Sequence, residues 1–203
     1  MSLRKPREST AHQSEGKGTD VSDPPPVWSD FEALVKTWGA KINLVGAKDD
    51  ASRADVLFAD AAQLVDEALL PRGARFCDVG AGVGAPAIPV LLRREDLSAT
   101  LIEPRRNRVA FLRFAIGSLG LVDRCVVLEQ RLDDAPPPGA PFDVAISRAT
   151  FAPDEWLRRA PLLAPRAIVL VGAEPLPEGD RLEERRYALP HAGTPRALGL
   201  YAV

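Results

Sequence analysis

The stretch Asp78-Val79-Gly80-Ala81-Gly82-Val83-Gly84-Ala85-Pro86-Ala87-Ile88-Pro89 constrains this chain more than any other. It follows a short apolar run, Ala74-Arg75-Phe76-Cys77, that reads as a strand, and a helical pattern through Val90, Leu91 and Leu92 comes after it. Glycine lacks a Cβ, so three alternating glycines mark a place where backbone turns tightly or approaches a ligand closely. A helix behind such a loop presents free N–H groups and a positive dipole end. Strand, acid, glycines and helix together outline a site for a nucleotide-like cofactor.

The length of 203 residues suits one domain with extra segments at its ends. Net charge is -2 with a pI near 5.8, so bulk charge gives no footprint for nucleic acid, and any such role needs a local basic patch. Cys77 and Cys125 both lie in apolar strand-like runs and are expected to be buried free thiols, neither a disulfide nor metal ligands. No window is long and apolar enough to span a membrane, and the polar N-terminus carries no secretory pattern. A soluble, cytoplasmic, monomeric protein without metal is the expectation.

Residues 1–26 lack apolar periodicity, end in Pro24-Pro25-Pro26 and read as a disordered tail, with Arg4, Lys5 and Arg7 as its basic positions. The domain then runs over 27–203. Its first part, 27–72, reads as a two-helix cap. Ser29 or Asp30 is placed to cap a helix carrying Phe31, Leu34, Val35 and Trp38, and a second helix is expected over about 53–70. Strands fit 74–79, 99–103, 125–130, 142–147 and 167–172; helices fit 84–94, 106–119 and 153–163. That alternation predicts a mainly parallel sheet with helices on both faces. The runs 182–189 and 196–203 read as a closing hairpin with Pro190 and Gly193 at its turn, giving seven strands in all.

The loop spacing is G-x-G-x-G, whereas the dinucleotide fingerprint is G-x-G-x-x-G. Glu103 ends the second strand roughly twenty residues beyond the glycines, where a carboxylate receives a ribose diol in doubly wound folds. NAD and S-adenosylmethionine both carry that ribose. Three features favour S-adenosylmethionine. Asp78 precedes the first glycine, where an acid can meet the positive methionine end. Asp133 follows the third strand in Arg131-Leu132-Asp133-Asp134, the junction that holds adenine in methyltransferases. A hairpin closing an alternating fold is the usual end of a class I, Rossmann-like methyltransferase sheet.

The Asp78–Pro89 block resembles the D-V-G-[ST]-G-x-G-[FL]-P-G-I-P pattern of the GidB/RsmG family, S-adenosylmethionine-dependent methyltransferases of guanine N7 in small-subunit (16S) ribosomal RNA. Trp38-Gly39-Ala40-Lys41-Ile42-Asn43-Leu44 resembles the family's W-N-x-x-I-N-L. Leu101-Ile102-Glu103, Arg108-Val109-Ala110-Phe111-Leu112 and Ile146-Ser147-Arg148-Ala149 match further blocks, and the resemblance covers about 31–172. It implies the class I fold and places Gly80, Ala85, Leu132, Asp133 and Arg148 at cofactor-contact positions, beside the residue-level candidates Asp78, Gly82, Gly84 and Glu103. This chain departs from the pattern at Leu57 and Ala61, where the family's H-x-x-D-S has His and Ser around the retained Asp60. It departs also at Ala87, Asn107 and Val171.

Guanine N7 offers a lone pair and carries no proton, so its methylation needs alignment and no general base. The implied partner is ribosomal RNA or a precursor of the small subunit. Arg148, at the end of the fourth strand, is the expected catalytic-site positioning residue, open to the cofactor, the base or a phosphate. Asn43, Asp60, Arg105, Arg106 and Arg108 are the expected substrate-side residues, and Arg113 extends their basic segment. His12 and His191 have no partner at a diagnostic spacing. Two alternatives stand beside this reading: a same-fold methyltransferase acting on another RNA or a small molecule, and a binding module without activity.

Overall fold

The computed structural model describes residues 26–39, 42, 44–47, 49–133 and 135–203. Its centre is a seven-stranded sheet in the order β3-β2-β1-β4-β5-β7-β6. The first five strands are β1 (Arg75–Val79), β2 (Ser98–Ile102), β3 (Cys125–Leu128), β4 (Val144–Arg148) and β5 (Arg166–Val171), all mutually parallel. The hairpin of β6 (Arg181–Ala188) and β7 (Pro195–Ala202) closes the sheet, with β7 antiparallel to β5, so the sheet is mixed.

Period-two alternation divides the core between two faces. Phe76, Leu101, Val144, Ile146 and Ile168 pack into one cluster with the helices α1 (Pro26–Gly39), α2 (Asp50–Leu64), α3 (Ala87–Arg93) and α4 (Arg106–Ser118). Cys77, Val79, Ala145, Ala167 and Val169 pack into a second with Trp156 of α5 (Pro153–Arg159). Helices therefore cover both faces. Among the described residues the β3–β4 connection holds no helix, and Val126 stays 55% exposed on that side.

The helical cap docks on α3 through Trp28, whose ring stacks on Phe58 at 4.9 Å and whose Nε1 donates to the Pro89 carbonyl at 2.9 Å. Three boundaries differ from the sequence reading. The first helix opens at Pro26, ahead of Ser29 and Asp30. Helix α2 runs from Asp50 to Leu64, not over 53–70, because Asp49 and Ser52 form a reciprocal capping box. Leu69 and Leu70 are still buried, but on the turns that follow. Helix α3 starts at Ala87, not at 84, because Gly84 adopts φ +87 and lies in the preceding turn. The tail expected over 1–26 lies outside the described residues through 25. Both cysteines are buried and free, and burial raises both thiols.

Candidate functional site

The strand order reverses between β1 and β4, and a cleft of about 720 Å³ opens there at their C-terminal ends. Ligands of open α/β sheets bind at such a switch point. The walls are the glycine loop after β1, Arg148-Ala149-Thr150 at the end of β4, cap residues from 44–47 and 49–60, Arg108 of α4 and Arg196 of β7.

The three glycines do different work. Gly80 and Gly82 line the cleft; Gly84 does not. A Cβ on Gly84 would stand 2.5 Å from Ile88 Cδ1 and 2.9 Å from Leu112 Cδ2, so this glycine lets α3 and α4 close together. A Cβ on Gly80 would meet Thr150 Oγ1 at 1.9 Å, while at Gly82 the nearest atoms lie 3.6 and 3.7 Å away. Gly82 is thus the glycine with room beside it, and its φ of +60 favours glycine on its own account. Ala85 also lines the cleft.

Two acids stand behind the loop. Glu103, 2% exposed, accepts from Gly82 N and Arg105 N, both at 2.9 Å. Its carboxylate ties the loop to the start of α4 and does not itself line the cleft. Asp78 is 1% exposed, and its Oδ2 has no hydrogen-bond partner among the described residues. Burial pushes the Asp78 carboxyl up to about 7, against the pull of Arg148 and with a further push from Glu103. Asp78 does not itself line the cleft, but an orphaned buried carboxylate oxygen at the base of the glycine loop fits a ligand with a cationic centre, and the methionine end of S-adenosylmethionine is one.

The expected adenine-side residues lie apart from the cleft. Leu132 is buried in the second core cluster and Asp133 is exposed. Among the expected substrate residues, Asp60 and Arg108 line the cleft, whereas Arg105 and Arg106 do not. Arg108 Nη1 stands 4.0 Å from Glu103, and the exposed Arg106 pairs with Glu129 at 3.1 Å. Arg113 is exposed, and Asn43 lies outside the described residues.

Arg148 is held by the cap. Its Nη1 donates to the Val56 carbonyl at 2.7 Å and to Asp60 Oδ2 at 3.0 Å. Ala149 takes φ 55, a conformation unusual for a residue with a side chain, and brings Thr150 back so that its hydroxyl donates to Val79 O at 3.1 Å. The Ser147 hydroxyl donates to the same oxygen at 3.1 Å. The Ser-Arg-Ala signature is therefore a hinge that fastens β4 to the end of β1 and turns Arg148 toward the cap.

Sequence reasoning missed the residues supplied by the closing hairpin. Arg196 lines the cleft, and its buried Nε has no hydrogen-bond partner among the described residues. The amides of His191 and Ala192 donate to buried Asp55 at 3.1 and 2.9 Å. Tyr187 Oη donates to Asp60 Oδ1 at 2.6 Å. No group of His, Cys, Asp and Glu suited to a metal occurs among the described residues, and none of their helices is long and apolar enough to cross a membrane.

A family model, GidB, described as rRNA small subunit methyltransferase G, matches residues 27–171. Curated relatives carry the name ribosomal RNA small subunit methyltransferase G. One from Acidiphilium cryptum is 37% identical over 144 residues, covering 69% of this chain and 64% of its own. Another from Frankia alni is 34% identical over 144 residues, covering 69% and 54%. The chain thus spans less than two thirds of either relative's length. Among solved structures, a SAM-dependent methyltransferase from Aquifex aeolicus aligns with TM-score 0.54 at 18% identity, over 85% of this chain and 99% of its own. The cyclase SpnF aligns at TM-score 0.56 and 14% identity, over 86% and 91%. The first likeness shows the class I methyltransferase fold, and the second, to a protein named as a cyclase, shows why fold alone does not name a reaction.

Proposed function

Since the chain belongs to the GidB family, we propose that it transfers a methyl group from S-adenosylmethionine to guanine N7 of small-subunit ribosomal RNA. The observation that carries this reading is the cleft in which an open Gly82 and a fixed Arg148 face one space, with buried Asp78 behind the loop. Gly80, Gly82 and Ala85 would hold the cofactor's methionine end, Asp78 would balance its charge, and Glu103 would keep the loop in shape. Leu132 and Asp133, outside the cleft, are proposed for the adenine.

When bound, the cofactor supplies an electrophilic methyl group on a sulfonium. The chain's own residues then have to align a guanine with it and exclude water, because N7 needs no base to activate it. Arg148 and Arg108 are proposed to orient the acceptor, with Arg105 and Arg106 on the phosphates outside the cleft. Asn43 is proposed on the substrate side. The protein is proposed to act as a monomer in the cytoplasm, on free ribosomal RNA or on a small-subunit precursor.

Purified protein with tritiated S-adenosylmethionine is expected to label small-subunit RNA or a small-subunit particle. Absence of label from both would refute the reading. A second reading, a same-fold methyltransferase with a smaller acceptor, draws on one observation. Of the four arginines in the 105–113 segment, only Arg108 reaches the cleft. Labelling of a small-molecule extract, with RNA unlabelled, would establish it.

A further inference from the structure

Asp60 joins two elements that the family match does not join, since the matched span ends at residue 171 and Tyr187 lies beyond it on β6. The Asp60 carboxylate is 4% exposed, and each of its oxygens has one charged or hydroxyl donor. Oδ1 takes the Tyr187 hydroxyl at 2.6 Å and Oδ2 takes Arg148 Nη1 at 3.0 Å. Nη1 also donates to Val56 O. The two hydrogens of Nη1 are thus spent on α2. No bond joins Nε or Nη2 of Arg148 to any other described residue, which leaves three N–H donors on a side chain that lines the cleft. The Nε–Nη2 edge is one that grips an oxyanion with two parallel hydrogen bonds.

We propose that Tyr187 is a positioning residue of the site, and that through Asp60 it fixes Arg148 with its free edge presented to an oxyanion of the ligand. The inference rests on the methyl-transfer reading given above. The hydroxyl makes no other hydrogen bond among the described residues: the ring of Tyr187 packs against the main core, and a phenylalanine would do the same. Remove the hydroxyl, and Oδ1 becomes a buried carboxylate oxygen without a partner, which is costly. The carboxylate would turn to recover a donor, and Arg148 would turn with it. Burial and the neighbouring Asp60 raise the Tyr187 hydroxyl well above the ordinary phenol value, so it remains a donor at any working pH. The strand register sets Tyr187 opposite Arg196, so the hairpin that brings Arg196 to the cleft also places Tyr187 behind it, against Asp60.

The chain's departures from the family pattern agree with this arrangement. Leu57 and Ala61, which stand where the family has His and Ser, are 1% and 0% exposed in the main core. Neither lines the cleft, and Asp60 takes its second partner from the hairpin.

The test is a double-mutant cycle of Tyr187→Phe with Arg148→Lys. Arg185→Ala serves as a control, since Arg185 also ties the hairpin to the cap, through Asp66 in the turn after α2 at 3.4 Å, but does not line the cleft. Tyr187→Phe alone is expected to lower methyl transfer about ten-fold, the scale of one lost hydrogen bond to a charged group. In the Arg148→Lys background it is expected to change little further, and Arg185→Ala is expected to leave transfer unchanged. Two arms identify the oxyanion. If it is the methionine carboxylate, Tyr187→Phe weakens S-adenosylhomocysteine in calorimetry. If it is an RNA phosphate, that affinity holds and the KM for RNA rises. An NMR arm does not need activity: the Arg148 Nε–H resonance of the full chain is expected to shift in Tyr187→Phe and to stay in place in Arg185→Ala. Multiplicative losses in the cycle, or an Arg148 resonance indifferent to Tyr187→Phe, would overturn the inference. A wild-type chain that moves no methyl group would overturn the functional reading, and the resonance would still decide the role of Tyr187.

Discussion

Thr150 Oγ1 occupies the place where a Cβ on Gly80 would stand, 1.9 Å from that position. The contact locks the first glycine of the loop to the turn after β4, and it makes this glycine a structural requirement independent of any ligand. Gly80→Ala is expected to cost about 2–4 kcal/mol, from the left-handed backbone at φ +76 and from displacement of Thr150. In a Thr150→Gly background the added cost of the same change should fall to the backbone part, about 1–2 kcal/mol. Urea unfolding of the four chains measures both numbers.

Asp78 gives a pH signature. Its folded value, pushed up to about 7 by burial, lies above the ordinary carboxyl value of 3.8. The stability this group contributes is therefore fully present below about 3.8 and is lost as pH rises through about 7. Asp78→Asn should flatten the stability profile between those limits. A bound cation favours the charged carboxylate, so affinity for S-adenosylmethionine should rise with pH across the same window in wild type and be flat in Asp78→Asn. Calorimetry at several pH values tests both slopes.

Glu103→Ala should weaken S-adenosylmethionine by about 1–3 kcal/mol, because the Gly82 and Arg105 amides lose their acceptor and the loop loses its anchor. Melting temperature should fall with it. The exposed Glu95 is the comparison: if Glu95→Ala weakens binding equally, the anchor is not responsible.

Asp55→Ala should free the tip of the closing hairpin, at a cost of about 1–3 kcal/mol for two unsatisfied amides. Hydrogen exchange at His191 and Ala192 should accelerate sharply, while amides of β1 keep their protection.

The sheet was legible from the chain because each strand is a short apolar run and each helix repeats its apolar residues on one face. The closing hairpin was legible from its lack of an intervening helix. Boundaries set by side-chain caps are less visible: Asp49 and Ser52 sit in a charged stretch with no apolar period, so apolar spacing alone puts α2 later in the chain than the capping box does. The glycines were legible as a loop, but not as three separate functions, because Ile88, Leu112 and Thr150 become their neighbours only after folding. Asp60 was legible as a retained acid. Its bond to Tyr187 joins residues 127 positions apart, and no local pattern announces such a pair. Arg196 was missed for the same reason, since its importance lies in which wall it joins.

The measurement closest to the central claim is mass-spectrometric mapping of modified guanines in small-subunit RNA, isolated from cells with and without this gene. One N7-methylguanine is expected to be present with the gene, absent without it, and restored by the purified chain with S-adenosylmethionine. Identical guanine modification in the two RNAs would contradict it.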